Sequence, residues 1–143
     1  MSCKTIALVL LFVVAGYART NNTNNRDGNW WTIQDKTYKY SYIVGFFDGM
    51  DLGEEFSYWG ISDKNRDSPC LPRIWKSYTD YNNKYFSNVT NNQIADGLDT
   101  FYSDFRNKKI RIANAIWIVV NSIAGKSQEE IEKMAESFRK NAN

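Results

Sequence analysis

The chain has no histidine, and only two cysteines and two prolines among its 143 residues. Without histidine neither a Ser-His-Asp nor a Cys-His nucleophilic centre can be built, and the commonest zinc ligand is missing. Cys3 and Cys70 are too few for a disulfide framework. An excess of one charge is lacking too. The 18 basic and 16 acidic residues leave a net charge of +2, which gives no steering field toward nucleic acid. The longest apolar run, Ile6–Ala15, falls short of the roughly twenty residues a membrane span needs. The next, Ala113–Val120, is interrupted by Asn114. There is no phosphate-cradling glycine loop and no metal-ligand spacing, so no cofactor is expected.

What is present first is an export pattern. Lys4 precedes the apolar run, and Gly16 and Ala18 put small residues three and one positions before a cut. Residues 1–18 therefore read as a secretory signal peptide, and the protein as periplasmic or secreted. Cleavage after Ala18 would leave 125 residues with a net charge of +1, enough for one core without staples. It would also leave Cys70 as the one cysteine, expected as a buried thiol or as one half of a bridge between chains. Residues 19–31 read as a flexible polar leader, with the asparagine-rich Thr20–Asn25 at its centre. Within it, Trp30-Trp31 reads either as an exposed aromatic pair or as a pair folded back on the bundle. Asn21 and Asn88 match glycosylation sequons.

From residue 32 to residue 143 the chain reads as an all-α domain, a compact bundle of four to five helices. The first is expected over Thr32–Trp59. Tyr38, Tyr42, Phe46 and Met50 recur every fourth residue, with Ile43 and Phe47 beside them. Gly45, Gly49 and Gly53 form a second stripe. Each costs about 1 kcal/mol against alanine, so the stripe predicts close approach by another backbone or a break near Gly53. Asp63–Pro72 reads as a loop. A second helix starts near Leu71 or Pro72 and buries Trp75, Tyr78, Tyr81 (or Asn82) and Tyr85. Thr90 and Gln93 form a capping box ahead of a third helix bearing Ile94, Leu98, Phe101, Tyr102 and Phe105. A fourth, Lys109–Ala124, is apolar on most sides and belongs at the centre; Gly125 stops it. Its β-branched residues would also suit a strand, but the spacing favours helix. Ser127 and Glu130 cap a last helix that buries Ile131, Met134 and Phe138, with Glu129–Lys133 and Glu136–Lys140 paired outside.

The chemistry-bearing patterns are sparse. Asp63, Asn65 and Asp67 open like a calcium loop, but Ser68 and Ile74 stand where glycine and glutamate are needed. Asp48, Asp51, Glu54 and Glu55, or Asp96 and Asp99, could supply a hydrolytic carboxylate pair if folded to the right separation. Tyr102, Asp104, Arg106 and Asn107 form the densest polar–aromatic cluster. It reads either as a binding surface or as a tie across a turn, with Asn107 suited to a left-handed helix end. Tyrosines also serve as interface anchors.

Tyr42-Ile-Val-Gly45-Phe-Phe-Asp48-Gly49 on a first helix, followed by Cys70-Leu-Pro72 before a second, resembles the Rap1a/Tai group of small exported helical immunity proteins of Gram-negative bacteria. The resemblance implies a periplasmic homodimer that blocks a peptidoglycan amidase delivered by a type VI secretion system. That family pairs the cysteine before proline with another near the end of a late helix, and residues 116–125 hold none. The expectation is thus a non-enzymatic protein that acts by binding another protein. The alternatives are a small carboxylate-dependent cell-wall hydrolase and an envelope stress or chaperone-like helical protein.

Overall fold

The computed structural model describes residues 26–65 and 70–142, with the side chains of residues 61–65 and 71 left aside. The expected signal peptide, the leader up to Asn25 with its sequon at Asn21, and the side chains of the calcium-like stretch lie outside the described residues. The described chain is all-α, with six α-helices and one 3-10 turn. The count exceeds the expected four to five because a short helix, α1 (Gly28–Thr32), precedes the first long one.

Helix α1 corrects the leader reading from Arg26 onward. The Asp27 carboxylate accepts from the backbone N–H groups of Asn29 and Trp30 at 3.0 and 3.2 Å, a cap worth about 1 kcal/mol. The N–H of Ile112 donates to the Arg26 carbonyl, and that of Gly28 to the Lys108 carbonyl, both at 2.9 Å. Trp31 is completely buried. Removing so large a ring from water contributes about 4–6 kcal/mol, which outweighs the polar sequence around it. The Trp30-Trp31 pair is therefore folded back.

Helix α2 (Lys36–Asn65) runs 30 residues without the expected end at Trp59 or break at Gly53. Its first half buries Ile43 and packs Tyr42, Phe46 and Phe47 against the core. From Asp51 to Gly60 every residue but Glu54 is exposed. That half is braced by α3 (Leu71–Tyr85), where Tyr58 and Trp75 meet edge to face at 4.9 Å. The two make a helical arm. Pro72 sits at the start of α3, where its missing N–H costs nothing.

The core lies under α4 (Asn91–Ser103), α5 (Ile112–Ile123) and α6 (Gln128–Lys140). Both expected capping boxes, at Thr90 and Ser127, are formed. Helix α5 is central and helical throughout, burying Ile112, Ala115, Ile116, Ile118, Val119 and Val120. Gly125 takes a φ of +90° just beyond it. Helix α6 seats Ile131 and Ala135 against Ile118. Phe105 departs from the expected stripe: the 3-10 turn Phe105–Asn107 turns it outward to 81% exposure.

Candidate binding site

Where α2, α3 and α5 meet, their side chains leave a cavity of about 520 Å³, lined chiefly by Phe46, Met50, Tyr78, Tyr81, Phe86 and Trp117. Each helix supplies its share by one-turn spacing: Phe46 and Met50 from α2, Tyr78, Tyr81 and Asn82 from α3, Ala113 and Trp117 from α5. The walls are held ring to ring. Tyr81 stacks on Trp117 at 5.8 Å, Tyr85 meets Trp117 at 5.0 Å, and Phe47 meets Phe86 at 5.4 Å. Tyr81 keeps 55% of its surface exposed. Burial, and then the adjacent Glu54 and Asp51 carboxylates, push the Tyr78 hydroxyl above its ordinary pKa. It therefore stays a protonated hydrogen-bond donor. Ser77 and Asn82 add polar groups to an otherwise apolar wall. Such a site can take up an apolar or aromatic group and orient it with a few hydrogen bonds.

The residues singled out in the sequence do not converge here. Tyr42 packs inward, 6.2 Å from Trp31 and 5.3 Å from Trp30. Asp48 is exposed on α2 and Pro72 on α3. Gly45, Gly49 and Gly53 have nothing within 4 Å of the place a Cβ would take, so the expected close approach does not occur among the described residues. It occurs instead at Gly28, which lies under the Tyr102 ring, and at Gly97, where an added Cβ would stand 2.5 Å from Val119.

Tyr102, Asp104, Arg106 and Asn107 do cluster, as a tie across the turn after α4. Tyr102 is fully buried and its hydroxyl donates to the Ile110 carbonyl at 2.8 Å. Burial, then the charge of Asp27, raises its pKa far above the ordinary value. Asp104 accepts from the Arg106 backbone at 2.9 Å and pairs with its guanidinium at 2.6 Å. Those contacts hold the Asp104 carboxyl below the ordinary carboxylate range. Asn107 is not left-handed, since no described residue other than glycine has positive φ. It is buried, donates to the Phe101 carbonyl at 2.8 Å and accepts from Arg139 at 2.9 Å.

Cys70 is buried and disulfide-bonded, and no described cysteine is free. Of the two readings of Cys70, buried thiol or one half of a bridge, the free thiol is the one this corrects. Asp99 accepts from the Trp31 indole at 2.7 Å and from Lys39 at 2.6 Å, binding α1 and α2 to α4. Among the described residues no group of three acidic or cysteine side chains could hold a metal ion, and no helix is long and apolar enough to cross a membrane.

Sequence reasoning assigned Phe46, Met50, Tyr78 and Trp117 to the core. The signal that does point to a site is the concentration of tyrosine and tryptophan on the first two long helices, more aromatic surface than a small bundle buries, which favours a self-association or partner surface. A comparison with protein-family models, curated proteins and solved structures finds no match to this chain.

Proposed function

We propose that the protein is exported and acts by binding another protein, as an inhibitor seated on a secreted peptidoglycan amidase. The observation that carries this reading is the aromatic cavity with Tyr81 at its mouth. Half-exposed tyrosines with an apolar body and a polar tip are the side chains on which protein interfaces concentrate their energy. A volume of about 520 Å³ accommodates an inserted anchor from a partner's loop. The export pattern of residues 1–18 and the tyrosine, glycine and Cys-x-Pro motifs that resemble the immunity group add support. A carboxylate-dependent hydrolase needs two carboxyl groups facing each other about 5–9.5 Å apart. Asp99 is instead committed to Trp31 and Lys39.

The test is inhibition. The purified protein is titrated into peptidoglycan amidases, and complex formation is followed by size-exclusion chromatography. A stoichiometric loss of one amidase's activity is expected. Tyr81→Ala weakens it about 30-fold, the loss typical of an anchor residue, with unchanged circular dichroism. Failure to inhibit any amidase, or release of peptidoglycan fragments by the protein itself, sinks the reading.

A further inference from the structure

We infer that the group taken up by the aromatic cavity is positively charged: an arginine at the tip of a partner's loop, its guanidinium seated between the cavity's rings and Glu54. The inference rests on the reading of this cavity as the seat of a partner's anchor, and it names what that anchor carries.

The rings supply one half of the recognition. Tyr78, Tyr81, Phe86 and Trp117 bring aromatic side chains from α3, the turn after it and α5 around one space. The face of such a ring is the negative side of its quadrupole. A planar guanidinium stacks on it, and tryptophan attracts a cation most strongly. Elsewhere the chain covers ring faces with its own cations. Arg26 lies 5.3 Å from the ring centres of both Trp30 and Tyr42, Lys39 lies 5.4 Å from Trp31, and Lys84 lies 5.1 Å from Tyr85. Among the described residues no lysine or arginine lies over a ring that lines the cavity.

A carboxylate without a counter-charge supplies the other half. Glu54 follows Met50 by four residues, one turn on along the side of α2 that lines the cavity. It is the residue between Asp51 and Gly60 that is not exposed. Its carboxylate stands beside the Tyr78 hydroxyl, which also feels the charge of Asp51. Lysine or arginine pairs with Asp80, Asp99, Asp104 and Glu132. Among the described residues none pairs with Glu54 or Asp51. A negative charge at the edge of an apolar space attracts a cation more strongly than one surrounded by water. An arginine meets both demands. Its stem and planar face pack on the rings, while its fork of N–H groups donates to the carboxylate. At about 520 Å³ the cavity is large enough for a drug-sized ligand, so an apolar neighbour on the loop enters with the arginine.

Two probes that differ only in charge decide the matter: acetyl-Leu-Arg-amide and acetyl-Leu-citrulline-amide, whose ureido group has the shape of a guanidinium and no charge. Each is titrated into the purified protein while the indole N–H resonance of Trp117, identified with Trp117→Phe, is followed by NMR. The arginine probe is expected to move that resonance and to bind at least about tenfold more tightly than the citrulline probe. Added salt narrows the gap in the unaltered protein, because it screens the attraction to Glu54 and Asp51. Glu54→Gln keeps the size of the side chain, leaves the circular dichroism unchanged and removes the preference. Equal affinity for the two probes overturns the inference. So does a Trp117 resonance that neither probe moves, or a preference that survives Glu54→Gln. The amidase reading fails separately. Inhibition of an amidase together with equal affinity for both probes leaves that reading standing with a neutral anchor. A preference for the arginine probe without inhibition of any amidase leaves the cavity's choice standing with a different partner.

Discussion

Glycine shows how little a residue's identity says without its surroundings. Gly97 lies against Val119 where α4 crosses α5, and a methyl group there would press into a packed β-branched side chain. Gly97→Ala is expected to lose about 1–3 kcal/mol by overpacking. Gly60, on the exposed arm, has nothing within 4 Å. Gly60→Ala is expected to gain up to about 1 kcal/mol from helix propensity alone. Urea melts of the two variants should therefore move in opposite directions. Spacing placed Gly45, Gly49 and Gly53 on one stripe correctly but could not say that the stripe faces outward. Nor did it mark Gly97, whose constraint comes from a residue 22 positions away.

At the scale of elements, the tie between α4 and α6 is the contact most open to test. Asn107 spans the Phe101 carbonyl and Arg139, and Arg139 continues to Glu132 at 2.6 Å. Asn107→Ala strands the Phe101 carbonyl and leaves the Nε–H of the largely buried Arg139 without its acceptor. The expected loss is about 2–3 kcal/mol, read as a lower urea midpoint, with α6 amides exchanging faster. The capping boxes at Thr90 and Ser127 were legible because each is a contact between residues three apart. Of the tie at residues 102 to 107, the Asp104–Arg106 pair was legible for the same kind of reason, its two residues being two apart. Helix α1 was not. Asp27 and Gly28 look like leader sequence until Trp31 finds Asp99 and Gly28 finds Tyr102. Likewise, the periodicity of Phe46, Met50, Tyr78 and Trp117 announces an apolar face. Whether three helices close over that face depends on how the helices cross, which no local pattern records.

For the whole molecule, the charge inventory sets a pH window. Hydrogen bonds from Arg106, Ser127, Arg139 and Lys140 hold Asp104, Glu130, Glu132 and Glu136 respectively below their ordinary pKa values. A carboxyl group with a lowered folded pKa stabilises the fold above its unfolded value and loses that contribution as pH falls through the folded one. Tyr78 and Tyr102 are raised, chiefly by burial. Their contribution is present below the ordinary tyrosine value and lost as pH rises beyond it. With no histidine in the chain and Cys70 disulfide-bonded, no described side chain ordinarily titrates between these limits. The melting temperature should be level from about pH 5 to about pH 9 and fall on both sides. A step near pH 6.5 in a calorimetric series would contradict this.

The unbroken course of α2 has a mechanical meaning. At 1.5 Å per residue its 30 residues form a rod about 45 Å long. The rod is clamped to the core through its first half by Lys39, Ile43 and Phe47, and its largely exposed second half is braced by α3. A rod gripped at one end is a lever. A load on the arm reaches Ile43, and through Lys39 and Asp99 the indole of Trp31, as torque rather than being absorbed at a hinge. The fluorescence of Trp31 would then register from inside the core an event that takes place at the far end of the arm.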